Sequence, residues 1–223
     1  EACTQDLNKP RFETNLAESG WLLNDIVFTT RNLHDWAKDE KADDIDLAFK
    51  FMNPKIRKDP LGTVLVIGYA PPVPRDAHEK LPEDNKALLY SSAFNFPFQL
   101  TLGPVIGAIA AGNTVVIKPS ENSPRSAAVM QKIIEESLDP SCYMVLQGGI
   151  PETQALLAER WDKIFFTGGA GVGRIIAKAA AENLTPVVLE LGDGNLAAEA
   201  RAVHGEPAST TDATRKYLPS HIT

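Results

Sequence analysis

The residues with the most evident chemical use lie between 161 and 178, Trp-Asp-Lys-Ile-Phe-Phe-Thr-Gly-Gly-Ala-Gly-Val-Gly-Arg-Ile-Ile-Ala-Lys. A short bulky run, Ile164 to Phe166, has the length of a strand. It passes through Thr167 into four glycines, Gly168, Gly169, Gly171 and Gly173, and then into an Ala/Ile-rich run of helical spacing. A strand, a glycine turn and a helix in that order set free backbone N–H groups at a helix N-terminus. Helix dipole and unpaired donors point the same way there, which favours a phosphate. Small side chains let a pyrophosphate come close to the backbone. Such a turn can equally be a plain tight turn, so the neighbouring elements have to decide.

Those elements alternate. Residues 3 to 50 read as helical, with Leu16, Trp21, Leu22, Ile26, Leu33, Trp36 and Leu47 at roughly three- and four-residue steps. Residues 1–59 form an N-terminal helical arm on this reading, and 60–192 a Rossmann-like domain. Leu61 to Ile67 is a β-branched run closing at Gly68, a buried parallel strand. Residues 69–93 hold four prolines among charges and read as a loop or disordered insert. A helix follows from Pro97 to Ala111, with Pro104 bending it or marking its true start. Thr114 to Ile117 is the second strand. Asn122 or Ser123 caps the next helix, with Pro124 just inside it. Tyr143 to Leu146, Ile164 to Phe166 and Val187 to Leu191 complete five strands, with helices from Pro151 to Arg160 and after the glycine turn.

Five alternations predict an α/β fold with a parallel five-stranded sheet, right-handed crossovers and helices on both faces. Ligands of such sheets bind at the carboxyl ends of the strands. Gly68, Lys118, Gly148, Thr167 and Glu190 all fall at or near those ends. Residues 193–223 lose the pattern and read as an irregular tail.

Composition narrows the function. The 223 residues are 43% hydrophobic and 23% charged, as in an ordinary globular protein. A net charge of -7 argues against nucleic acid as a partner. No apolar run reaches transmembrane length and no leader is visible, although the chain does not open with Met. Two cysteines, Cys3 and Cys142, show neither disulfide nor metal spacing, which suits a reducing, cytoplasmic setting.

Several blocks together resemble the aldehyde dehydrogenase superfamily, nearest its class 3 or fatty-aldehyde branch. They are Pro60–Gly68, Asn95-Phe-Pro-Phe-Gln-Leu-Thr-Leu102, Gly107 to Lys118-Pro-Ser-Glu121, Phe166-Thr-Gly-Gly-Ala-Gly-Val-Gly173 and Leu184 to Glu190-Leu-Gly192. The resemblance implies oxidation of an aldehyde to an acid with NAD or NADP, through a cysteine thiolate. It implies that the Asn95 amide stabilises the oxyanion, although Asn95 could also serve only to cap the helix opening at Pro97. It makes Glu190 the general base for the hydrolytic water. Lys118, Ser120 and Glu121 would meet the adenosine ribose, with both signs of charge present and NAD and NADP both open. Thr167, Gly168, Gly169, Gly173, Leu191 and Gly192 complete the implied cofactor bed.

Three departures accompany the resemblance. Residues Tyr69 to Ala93 intervene where the family passes almost directly to the asparagine block. After Gly192 the chain reads Asp193-Gly-Asn and nothing further matches. The family nucleophile belongs to a separate catalytic domain beyond Glu190, and no cysteine follows Cys142. Cys142 is expected to be a small buried residue, and neither cysteine is read as nucleophile. This chain alone is therefore expected to bind without turnover, with an exposed apolar face available for association.

Overall fold

A computed structural model describes residues 1–43, 45–68 and 96–191. Its centre is a parallel sheet of β3 (Thr63–Gly68), β4 (Thr114–Lys118), β5 (Tyr143–Val145), β6 (Lys163–Gly168) and β7 (Val187–Leu191), in the order β5-β4-β3-β6-β7. The chain runs outward from β3 to β5, then returns to lay β6 on the free side of β3. That reversal of strand order between β3 and β6 is the switch point at which doubly wound sheets bind ligands. In register across it, Gly68 stands beside Thr167, and Thr167 beside Glu190.

Side-chain alternation sorts the core into two layers. Val64, Val66, Val115, Ile117 and Val145 point to one face, where Val105 of α4 (Pro97–Ala110) and Ile134 of α5 (Pro124–Ser137) meet them. Leu65, Ile67, Ile164 and Phe166 point to the other. There Leu156 of α6 (Ile150–Ala158), Ile176 and Ala180 of α7 (Ala170–Glu182), and Trp161 cover them. Burial on both faces explains why β3 reads as an unbroken apolar run rather than an alternating one.

The helices start where the sequence places them, at Pro97 and Pro124, each in a first-turn position that needs no N–H. Pro104 neither ends nor begins a helix: it lies inside α4. Gly112 reverses the chain after α4 with φ 79°, in the left-handed region open to glycine. Asn113 then fastens the turn. Its Oδ1 accepts the N–H groups of Leu61 at 2.7 Å and Gly62 at 3.0 Å, and its amide donates to the Ala108 carbonyl at 3.1 Å.

The arm departs from expectation. It contains α1 (Ala2–Leu7), α2 (Arg11–Thr14), a wider π-type turn over Asn15–Ser19, and α3 (Gly20–Trp36). Helix does not continue to residue 50. Beyond Trp36 lie a short antiparallel pair, β1 (Glu40–Lys41) with β2 (Lys55–Ile56), and a 3-10 stretch over Leu47–Met52. Leu47 continued the spacing of α3 only by count, across the charged run from Lys38 to Asp46. Among the described residues no helix is long and apolar enough to cross a membrane.

Candidate functional site

The glycine turn lies at the carboxyl end of β6, on the switch point. Gly169 occupies the cap position of α7 with extended backbone, φ -76° and ψ 146°, and supplies no capping side chain. A glycine there leaves the first N–H groups of a 13-residue helix without a carboxylate or hydroxyl from the helix itself. Gly173 has a different purpose. A Cβ on it would lie 2.9 Å from Leu191 Cδ2 and 3.6 Å from the Phe166 ring. Glycine at 173 therefore lets α7 close onto β6 and β7, the role of the third glycine in a dinucleotide turn. Leu191 is 38% exposed and packs on this spot. Gly168 ends β6 and pairs with Leu191.

One strand beyond β3, Lys118 ends β4 with 1% of its surface exposed. Its ammonium donates to the Pro119 carbonyl at 3.1 Å and to Glu121 Oε2 at 2.7 Å. Glu121 keeps 30% exposure. Ser120 is buried, and its Oγ accepts the Asn122 N–H at 3.2 Å, which shapes the turn. The spacing Lys118-x-x-Glu121 thus presents a carboxylate outward over a cation already neutralised from below. Such a pair suits the two hydroxyls of a ribose, which donate to the carboxylate.

A cleft of roughly 220 Å³ opens between the arm and the sheet. Trp21, Leu22 and Asp25 of α3 line it, with Gln99, Leu100 and Pro104 of α4. Phe165, Thr167 and Glu190 close it from the strands. Its walls are mostly apolar and Glu190, an exposed residue near the end of β7, brings a carboxylate to it. Thr167 is buried and belongs to both this cleft and the turn before α7. Asn95 and Gly192 lie outside the described residues.

Sequence reasoning missed the residues that hold this arrangement from the arm. Glu18, in the π-type turn, is 1% exposed. Its Oε2 accepts the N–H groups of Phe98 at 3.1 Å and Gln99 at 2.9 Å, capping α4 from outside the helix. Its Oε1 accepts from the Lys9 ammonium at 3.0 Å, and that ammonium lies 3.8 Å over the Phe96 ring. Burial raises the Glu18 pKa despite these lowering contacts. Asp6 of α1 does the same for α5: its carboxylate accepts the N–H groups of Arg125 at 3.3 Å and Ser126 at 2.7 Å. Ser123 holds the cap position of α5, one of the two the sequence offered, but its buried Oγ has no hydrogen-bond partner, and the Asp6 carboxylate answers the N–H groups instead. The available signal was indirect. Phe96 stands at the cap position of α4 with no side chain able to accept, so it leaves the first N–H groups to be answered from elsewhere.

Neither cysteine reaches the cleft wall. Cys3 is 1% exposed, its Sγ 3.9 Å from Ser126 Oγ, and burial pushes its thiol above the ordinary range. Cys142 is half-buried rather than buried, and precedes β5 at the amino ends of the strands, opposite the glycine turn.

A doubly wound sheet with a bare helix start at its switch point defines a domain of the dinucleotide-binding class. Residues 89–198 match the model of the aldehyde dehydrogenase family. The chain is 45% identical to beta-apo-4'-carotenal oxygenase of Neurospora crassa across 87% of its length and 32% of that relative. It is 44% identical to aldehyde dehydrogenase family 3 member H1 of Arabidopsis thaliana, covering 86% of this chain and 34% of that one. In structure it is similar to the substrate-bound state of Staphylococcus aureus AldH, with TM-score 0.70, 39% identity, and coverage of 86% and 36%. The chain belongs to the aldehyde dehydrogenase family. It spans about a third of the length of the curated relatives it matches.

Proposed function

We propose that this chain is the nicotinamide-dinucleotide-binding part of an oxidoreductase that converts aliphatic aldehydes to carboxylic acids. The observation that carries this reading is the start of α7 at the switch point, which no side chain of the described residues caps, while the other three described helices that cover the sheet each have a carboxylate at the start. A pyrophosphate would take the α7 N–H groups, with Gly168 and Gly169 allowing its approach. Lys118, Ser120 and Glu121 would hold the adenosine ribose. Because Glu121 already binds the Lys118 ammonium, a 2′-phosphate would meet a carboxylate there. The preferred cofactor on this reading is NAD, not NADP.

When bound, that cofactor supplies the hydride acceptor. The chain's own residues do the rest. The mostly apolar cleft beside Trp21 and Leu100 receives an alkyl tail, and Glu190 at its strand side removes a proton from attacking water. Asn95 would donate its side-chain N–H to the developing oxyanion, a role that rests on the sequence block. With no thiolate at the cleft, the covalent adduct that releases hydride has no nucleophile among the described residues. Within this polypeptide the reading is therefore binding without turnover.

Thermal melting with each nucleotide tests the cofactor reading. At about a hundredfold excess over Kd, NAD should stabilise the folded chain by roughly 2.7 kcal/mol, and NADP by less. Equal response to both, or none, would count against the site as drawn. Incubation with NAD and a fatty aldehyde should give no rise in reduced-nicotinamide absorbance. A second reading, association with an intact relative, is favoured by one feature: Leu47, Phe51 and Met52 are 72%, 94% and 75% exposed. Co-purification with a full-length family member would test it.

A further inference from the structure

The π-type turn does more than connect two helices. An extra residue in a helical turn re-aims the side chains beside it. Here it turns Glu18 inward, while Leu16 and Ser19 on the same turn stay exposed. The turn is built into the sequence through Gly20, where a Cβ would fall 2.6 Å from the Asn15 carbonyl oxygen, a backbone atom that cannot step aside. Immediately after it come Trp21, Leu22 and Asp25, which line the cleft from α3. The carboxylate that the turn buries caps the first turn of α4, and Gln99, one of the two residues whose N–H it accepts, lines the cleft opposite. One buried side chain thus ties the roots of two helices that face each other across the cleft.

We propose that Glu18, held by Lys9, is a positioning residue that sets the spacing between α3 and α4 and so the chain-length selectivity of the cleft. This rests on the cleft being the aldehyde-tail site. Glu18 touches no reacting atom; it acts through the Phe98 and Gln99 N–H groups. Lys9 reinforces it twice, by its ion pair with Oε1 and by its contact with the ring of Phe96, the residue at the cap position of α4. Asp6 provides an internal control. It caps α5 by the same chemistry, yet no residue of α5 lines this cleft.

The test compares two neutral double variants in the full chain, both keeping side-chain volume near that of the buried pair. Lys9→Met with Glu18→Gln keeps an oxygen able to accept a backbone N–H. Lys9→Met with Glu18→Leu has none. Replacing a buried ion pair by apolar groups of similar size leaves folding largely intact, which circular dichroism checks. Calorimetric titration with butanamide and decanamide, unreactive carbonyl probes of two lengths, gives the selectivity ratio. Hydrogen exchange at the Phe98 and Gln99 amides reads the cap itself. Loss of the acceptor should speed exchange at those amides and lower the decanamide-to-butanamide ratio, each by roughly fivefold, the worth of one cap. The Gln variant should stay near wild type in both, and Asp6→Ala should leave both unchanged. If the Leu and Gln variants match in exchange and ratio, Glu18 has no positioning role. If wild type binds the two amides equally, the cleft reading fails and the selectivity role with it, whatever the exchange shows.

Discussion

The two faces of the sheet treat their helix starts in opposite ways. On the face covered by α4 and α5, both starts are closed by carboxylates delivered from the arm, Glu18 and Asp6, across long stretches of sequence. On the face covered by α6 and α7, α6 is closed locally by its own Glu152, whose Oε2 accepts the Gly149 N–H at 2.7 Å, and none of the described side chains caps α7. Every helix start must satisfy its N–H groups. Where protein supplies the anion, the element is scaffold. At α7, where the cap residue is Gly169, no side chain of the described residues takes that place.

The largest break in this pattern should come from Glu18→Leu alone. It removes the buried carboxylate paired with the Lys9 ammonium at 3.0 Å, while the half-exposed Glu13 stays at 3.8 Å. Loss of one partner of a buried pair costs about 3–5 kcal/mol, measurable by urea unfolding. Adding Lys9→Met should recover most of it, and a double variant no more stable than the single one would refute the ion-pair account. Next in size is a charge placed at the bare start. Gly169→Asp and Gly169→Asn carry nearly the same shape and both can cap α7. Only Asp repels a phosphate, so it should bind NAD about tenfold more weakly than Asn through its unfavourable charge. Equal affinity would mean that no anion sits at that turn. Asp6→Ala should then cost about 1 kcal/mol, the worth of an ordinary cap, without altering the NAD-induced rise in Tm.

The smallest effect is one of pH. Burial raises the Glu18 pKa from its ordinary 4.5. The folded chain therefore binds the Glu18 proton more tightly than the unfolded chain does. Its contribution to stability is fully present below 4.5 and is lost as pH rises through the raised folded value. The Lys9 ammonium opposes this shift, and the Cys3 thiol near it is itself pushed up by burial. Glu18→Gln should flatten the Tm profile just above pH 4.5. An unchanged slope there would assign the titration to another carboxylate.

The middle of the sheet was legible because β3 is buried on both faces, leaving a β-branched run that ends in glycine. Val187–Leu191 was read residue for residue. The glycine turn was legible as a strand-to-helix junction from its four glycines, though not that Gly173 serves the packing of α7 against Leu191 and Phe166. Lys118 and Glu121 were legible as neighbours three residues apart, though not that they bind one another. The arm carboxylates were not. Glu18 in a helical run looks like any solvated glutamate, and its partners Phe98 and Gln99 lie 80 and 81 residues away. The cleft was hidden for the same reason, since its walls come from four separate parts of the chain. The arm beyond Trp36 was misread because a lone Leu47 was counted into a period that charges had already interrupted.

Cys3 is the buried residue of α1 and lies against Ser126 of α5, whose N–H the Asp6 carboxylate holds. A reagent can attack that sulfur only after α1 lifts away, whereas half-buried Cys142 is open to it from the start. The chain therefore carries its own stopwatch. The lag between fast and slow thiol labelling measures how often the arm lets go of the sheet, with no added probe and no unfolding.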